Sequence, residues 1–297
     1  MIGINNLLIV YCDYGRLGNR LHTHANALAW CNENNYNLIN LSFSAYAELF
    51  MNSPKHKSGN LQQTKHVIFK ILSSRLLRNF LRRILLSENW LARLGSIINQ
   101  IRPTKNEALL ESDLSRQIKQ NKINLIKHWD ISCSNSIKIQ QHKLRGYLSP
   151  KKKFVDSTEK IIEGLRSKYE CIVGVHARRG DYVTYLDGIH YHSWESYLHW
   201  ANQTKLLLKR SEKKNVGIII CSDDKPPCLI DNNEDVYISS GNEIMVDINI
   251  LSLCDYNLGP PSSFGTWISW FGKVPRFVVH KNTEITSLEQ FEVCDTC

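Results

Sequence analysis

The sequence predicts an α/β fold built on parallel sheets, and three observations carry that expectation. Short apolar runs alternate with stretches of helical periodicity along much of the chain. Near the start, one apolar run leads through glycines into a helical stretch and then into a second apolar run, a β-turn-α-β unit. The length, 297 residues, fits one large or two ordinary domains. Strands that alternate with helices imply parallel sheets covered on both faces.

The elements follow in order. Leu7-Leu8-Ile9-Val10 starts a strand over 7–12. Gly15 and Gly18 form a tight turn, and the spacing of Leu21, Ala25, Leu28 and Ala29 places a helix over 19–35. Leu38-Ile39-Asn40-Leu41-Ser42-Phe43 returns as the second strand. A linker near Gly146–Lys153 divides an N-terminal unit, 1–147, from a C-terminal unit, 148–297. The second half repeats the alternation. Helix 151–169 precedes strand 171–176, and helix 193–210 precedes strand 216–221. A strand at 236–239, a helix at 243–254, a strand at 256–259, a helix from about 263 and a last strand over Arg276–His280 complete the series.

Composition narrows the class. Hydrophobic residues at 42% suffice for real cores, and 22% charged residues is ordinary. No apolar run reaches 18 residues, so no membrane span is expected. Asn5, Asn6 and Asp13 flank the first apolar run, which reads as a strand and not as a signal peptide. Nine cysteines, an odd number without a secretory signal, point to reduced thiols. Cys294-Asp295-Thr296-Cys297 has CxxC spacing but no second pair for a zinc site. His190 and His192 with Asp187 tempt a metal reading, yet i, i+2 histidines suit a loop or strand and no further ligands accompany them. No metal is expected.

The net charge of +9 is uneven. Between Lys65 and Arg93 there are seven Lys or Arg and one acid, Glu88. Arg75, Arg78 and Arg82 line one helical stripe, beside Arg83, with Leu76, Phe80 and Ile84 roughly opposite. Such a helix suits either an anionic membrane surface or ordinary packing with a solvated face. No nucleic-acid motif accompanies it.

Three segments carry chemistry. In the run from Gly174 to Thr184, Arg178 and Arg179 stand where a strand ends, followed by Gly180 and Asp181. Ligands bind at the carboxyl ends of strands in open α/β sheets, and a guanidinium fork matches phosphate oxygens two at a time. Two forks suggest a pyrophosphate; a surface pair beside a turn aspartate is the alternative. Ser262-Ser263-Phe264 follows Gly259-Pro260-Pro261 and opens a helix. Its amides and hydroxyls suit an anion, and serine is also a favoured N-cap. Ser222-Asp223-Asp224 ends another strand, where a carboxylate can accept from N1–H and the exocyclic amine of guanine or simply form a turn.

These segments, with Gly15-Arg16-Leu17-Gly18-Asn19-Arg20 and the Asp247–Cys254 segment, occur in the order of a known set of motifs. His-x-Arg-Arg-Gly-Asp-Tyr at 176–182 resembles the first signature of α1,2-fucosyltransferases (glycosyltransferase family 11-like) and their α1,6- and protein O-fucosyltransferase relatives. The resemblance spans roughly 7–50 and 145–280, and Arg20 stands where the family has Gln. It implies a GT-B-like fold, two Rossmann-like domains facing across a cleft, the N-terminal one on the acceptor side and the C-terminal one binding a GDP-sugar. It implies inverting transfer of L-fucose from GDP-β-L-fucose to a glycan hydroxyl, most simply α1,2 to galactose in a bacterial surface polysaccharide. The acceptor would be a glycan or a lipid-linked oligosaccharide. No cofactor and no metal would be required. Another GDP-6-deoxy sugar, or binding without turnover, are the alternatives.

By the same resemblance, Arg178 meets the leaving diphosphate, while Arg179 either joins it or pairs internally. His176 contacts the base or ribose, one of Asp223 and Asp224 reads the base, and Asp181 belongs to the donor loop. Ser262, Ser263 and Phe264 form the second half of the phosphate cradle. Gly15, Gly18 and Asn19 shape the N-terminal loop, with Asn19 near the reacting bond. His190 is the candidate general base, with Asp187 as runner-up. Relatives in mammals carry an anchor and a stem; this chain begins almost at the fold, which suggests a cytoplasmic enzyme, peripheral at the inner face of a bacterial membrane.

Overall fold

The computed structural model describes residues 6–12, 14–51, 96–103, 107–211, 214–227, 235–239 and 243–297. The chain forms two compact units, Met1–Ser149 with Thr296–Cys297, and Pro150–Asp295.

In the first unit, β1 (Leu7–Val10), α1 (Leu17–Asn34) and β2 (Asn37–Asn40) form the expected β-turn-α-β start. Helix α1 begins two residues earlier than its periodicity indicated, so Gly18 lies in its first turn and not in the preceding loop. The cause is burial: Leu17 and Leu21, one turn apart, are both fully enclosed. Asn35 ends the helix in the left-handed conformation, with its N–H on the Cys31 carbonyl. Then come β3 (Ile98–Ile101), β4 (Leu109–Leu110), α2 (Glu111–Gln117), β5 (Ile123–Ile126), β6 (Ile131–Ser132) and α3 (Ser134–Tyr147). Strands β2-β1-β5-β3 make one wholly parallel sheet, and β4 pairs with β6. Leu8, Val10, Ala27, Trp30 and Ile126 pack the core between sheet and helix.

The second unit contains α4 (Lys152–Arg166), β7 (Cys171–Ala177), α5 (Trp194–Ser211), β8 (Val216–Ser222), β9 (Val236–Ser239), α6 (Ile244–Ser252), β10 (Tyr256–Gly259), α7 (Ser263–Gly272) and β11 (Arg276–Val278). The sheet order is β11-β10-β7-β8-β9, all parallel. Ile172, Val173, Val175, Ile219 and Ile220 are fully buried, as expected of strands covered on both faces. Gly174 is required where Asn257 and Leu251 press on β7, since a Cβ there would stand 2.2 Å from the Asn257 amide oxygen.

That order has a functional consequence. Chain order runs outward from β7 in one direction through β8 and β9, then jumps back to β10 and runs the other way. The switch point lies between β7 and β10, where the loops leaving their carboxyl ends diverge and open a crevice. The two loops there are those that carry Arg178 and Ser262. The fold is α/β throughout, as the alternation of elements predicted.

Candidate active site at the switch point of the C-terminal unit

The loop after β7 is held by its own side chains. Arg178 donates Nε and Nη2 to Asp181 at 3.0 and 2.8 Å, a bidentate pair within one turn of chain. Its guanidinium also lies 5.0 Å above the Tyr182 ring. These contacts fix the plane of the guanidinium and leave Nη1 unengaged by any described group, so one edge of the fork remains for a ligand. Arg179 differs. Its Nε donates to Asp224 at 3.0 Å, its Nη1 to the His192 carbonyl at 2.6 Å and its Nη2 to the Tyr191 hydroxyl. It also stacks on Tyr191 and Trp194 at 4.7 and 5.1 Å. With every guanidinium nitrogen engaged, Arg179 braces the loop.

Asp223 and Asp224 serve the same brace. Asp223 Oδ1 accepts from the amides of Arg179 and Gly180 at 2.8 and 3.1 Å. A Cβ on Gly180 would lie 2.9 Å from Asp223 Oδ2, so glycine permits this approach. Asp224 accepts from Arg179 and from the Lys225 amide.

The loop after β10 faces this one. Ser262 is the N-cap of α7, accepting from the Gly265 amide at 3.0 Å. The first-turn amides of α7 have no carbonyl partners within the helix, and the helix dipole adds positive potential at that end. Phe264 is buried and its ring lies 4.6 Å from His176. The loop carbonyls are turned away: Pro261 accepts from the Tyr182 hydroxyl at 2.7 Å and Pro260 from Arg276 at 2.6 Å. Tyr182 therefore joins the two loops while supporting Arg178. His176, in the last turn-facing part of β7, is kept neutral: burial, then the charges of Arg178 and Arg276, lower its pKa to about 3.

The structure thus brings together Arg178, Arg179, Asp181, His176, Asp223, Asp224 and Ser262–Phe264. His190 and Asp187 lie on the same unit in the loop after the Asp181–Val183 turn. Leu186 and Asp187 both adopt positive φ, and the neighbouring Val183, Leu186 and Ile189 are exposed. The His190 ring is 6.2 Å from Tyr182 and 6.2 Å from His280. His192 instead is buried against Tyr197 and Trp200, and burial lowers its pKa.

Gly15, Gly18 and Asn19 belong to the other unit. Gly15 has φ +71, and a Cβ there would meet the Asn19 amide nitrogen at 2.1 Å, so Asn19 folds over the turn. Arg20 donates to the carbonyls of Gly15 and Ser42 at 3.2 and 2.8 Å, tying the turn to the chain after β2. The basic stripe of Arg75, Arg78, Arg82 and Arg83 lies outside the described residues. Among the described residues no group of three or more His, Cys, Asp or Glu could hold a metal, and no helix is long and apolar enough to cross a membrane. The described cysteines, Cys294 and Cys297 among them, are free.

Sequence reasoning missed three groups. Tyr182 was read only as part of a motif, although a tyrosine beside two arginines is a natural cation-π support. Asp247, read only as the start of a motif segment and given no role, accepts from Ser239 Oγ at 2.8 Å and sits beside Cys221, at the carboxyl ends of β8 and β9. Arg276 opens β11, and a charge at the head of an apolar strand was the signal to find it.

Parallel sheets covered by helices, with the Arg178 loop and the N-terminus of α7 at the switch point of one of them, define the class as an α/β protein. Comparison with known proteins narrows this. The glycosyl transferase family 11 model matches residues 151–283. The motif resemblance is borne out over that region. An Escherichia coli alpha-1,2-colitosyltransferase is 26% identical over 131 residues, 42% of this chain and 44% of that protein. The match thus spans under half of that curated relative. Among solved structures, an Arabidopsis thaliana FUT1 mutant in complex with GDP has a TM-score of 0.57 at 12% identity, covering 96% of this chain and 73% of that one. The fucosyltransferase NodZ from Bradyrhizobium gives 0.53 at 13% identity, covering 95% and 98%. POFUT1 without ligand gives 0.55 at 11% identity, covering 93% and 98%. The fold is therefore of the GT-B-like class of these fucosyltransferases.

Proposed function

We infer that the protein is a glycosyltransferase that moves a 6-deoxyhexose from a GDP-sugar to a glycan hydroxyl. L-fucose is the donor sugar of our reading and an α1,2 bond to galactose its simplest product. The observation that carries this is the Arg178 loop: a guanidinium fixed by Asp181 and Tyr182 with one edge open, opposite the N-terminus of α7. As the glycosyl bond breaks, the sugar becomes oxocarbenium-like and the leaving GDP gains charge. Oriented donors that need not reorganise stabilise that charge best. Arg178, the α7 amides and Ser262–Phe264 supply them, which lets the reaction proceed without a metal.

Guanine selection falls to a carboxylate at the carboxyl ends of β8 and β9. Asp223, Asp224 and Asp247 all stand there, and Asp247 is the one not committed to the Arg179 loop. Neutral His176, its ring tilted against Phe264, offers an apolar face and a hydrogen-bonding nitrogen to the base or ribose. His190 is the proposed base for the acceptor hydroxyl. Asn19 is proposed to contribute from the first unit. The acceptor is proposed to be a surface glycan or its lipid-linked precursor, reached by peripheral contact with an anionic membrane.

The colitosyltransferase match favours a second donor, GDP-colitose, in the same site. A panel of GDP-fucose, other GDP-6-deoxy sugars and UDP-sugars, assayed for hydrolysis and transfer, tests both. Turnover of UDP-sugars with no response to GDP-sugars would overturn the proposal.

A further inference from the structure

Arg276 is a buried cation with no acid paired to it among the described residues. Only 7% of its surface is exposed. Its Nη2 donates to the Pro260 carbonyl, and its other side-chain neighbour is Cys294. Its backbone is clamped by both hydrogen bonds of a bridge to Glu292. Among the described residues no carboxylate pairs with the guanidinium. A charge taken out of water without a counter-charge weakens a fold, so such groups are nearly always paired.

Its place in the unit gives the reason. A Cβ on Gly265 would lie 2.6 Å from Arg276 Cζ, so glycine in the first turn of α7 is what admits the guanidinium there. Its charge reaches His176 and Tyr182, the residues that line the β7 side. Nδ1 of His176 is itself buried with no hydrogen-bond partner. A guanidinium, the positive end of a helix and an unpartnered imidazole nitrogen meet at one place.

We propose that Arg276 is the second cation of the donor site, a positioning residue whose absent counter-charge is the diphosphate of the bound nucleotide. Arg178 acts from the β7 side by direct contact. Arg276 acts from the β11 side through space, and through its hold on the turn from Pro260 to Gly265. This rests on the GDP-sugar reading above.

Three proteins decide it: wild type, Arg276→Met and Arg276→Lys. Calorimetry measures GDP and guanosine on each, and thermal unfolding is followed without ligand. In Arg276→Met, GDP affinity should fall at least about tenfold while guanosine stays within about twofold. The unliganded melting temperature should match or exceed that of wild type, because an uncompensated buried charge has gone. A merely structural arginine would lower the melting temperature and weaken both ligands together, and that result overturns the proposal. Unchanged GDP affinity in folded Arg276→Met overturns it equally. If Arg276→Met does not fold, Arg276→Lys keeps the charge but not the fork. Its ratio of GDP to guanosine affinity should stay within about threefold of wild type, and a collapse of that ratio refutes the through-space role. Wild type that binds no GDP refutes the nucleotide reading and this inference with it, whereas equal GDP binding by wild type and Arg276→Met refutes only the role of Arg276.

Discussion

Asp247→Asn should make the C-terminal unit more stable at neutral pH and leave it unchanged in acid. Burial raises the Asp247 carboxyl to about 6, against which hydrogen bonds from Ser239 and Cys221 act. Its ordinary value is 3.8. The folded state thus favours the protonated acid. Below about pH 4 the group is protonated in both states and folding suffers nothing. As pH rises through 6, the unfolded chain has already released its proton and the folded chain resists doing so. Stability falls across that window and stays lower above it. A gap of about two pKa units at about 1.4 kcal/mol each gives a ceiling near 3 kcal/mol. Asparagine keeps an oxygen for Ser239 Oγ, but its amide must find an acceptor near Cys221, so a net gain of about 1–2 kcal/mol is expected. Urea unfolding of wild type and Asp247→Asn at pH 4 and pH 8 reads this directly. Equal differences at the two pH values would show that burial does not raise the Asp247 carboxyl. The same variant should lose preference for GDP over UDP if Asp247 reads the base.

Other consequences are as direct. Arg178→Ala should reduce transfer at least about a hundredfold, and Arg178→Lys should restore little, because a point charge does not reproduce the fork; near-normal turnover in folded Arg178→Ala would remove it from the diphosphate. Arg179→Ala should instead lower unfolding free energy by about 2–3 kcal/mol, since it strands the His192 carbonyl and releases the loop, and denaturant titration checks this. Gly15→Ala should impair turnover with little effect on GDP affinity, because its Cβ collides with Asn19; calorimetry alongside transfer assays separates the two. Activity is expected to survive excess EDTA, and loss that Mg²⁺ or Mn²⁺ specifically restores would mean that a metal carries the leaving charge.

The C-terminal unit was legible because its strands are uniform. Cys171–Val175 and Val216–Cys221 are apolar on both faces, the signature of a buried parallel strand, and β9 and β10 begin and end where their patterns indicated. The N-terminal unit hid four strands, β3 to β6, and for β3 and β5 the physical reason is visible. Strands β3 and β5 read Ile-Asn-Gln-Ile and Ile-Asn-Leu-Ile, and their asparagines break the apolar run. In the fold Asn99 and Asn124 stand opposite each other, and the Asn99 amide donates to Asn124 Oδ1 at 2.8 Å. Asn124 also caps the turn at Lys119, so a fully buried amide is satisfied on every side. Pattern reading cannot see that compensation, because the partners lie 25 residues apart.

The arginine pair shows where sequence reasoning stops for a different reason. Arg178 and Arg179 are adjacent, identical in chemistry and equally good phosphate ligands on paper. Their roles part only through what the third dimension places beside them. Adjacent residues leaving a strand point to opposite sides, so one guanidinium meets Asp181 and Tyr182 and the other meets Asp224, Tyr191 and the His192 carbonyl. Counting donors then decides. Arg179 has no nitrogen left to give, whereas Arg178 keeps Nη1. The engaged arginine is not idle, because it holds the loop from which the other projects. A site that must stabilise charge without reorganising needs one residue to bind and another to keep it still. Exchange of the two roles would require both acids, Asp181 and Asp224, to move. Arg178 and Arg179 are therefore expected to fail differently when mutated, one in kcat with stability intact and the other in stability first.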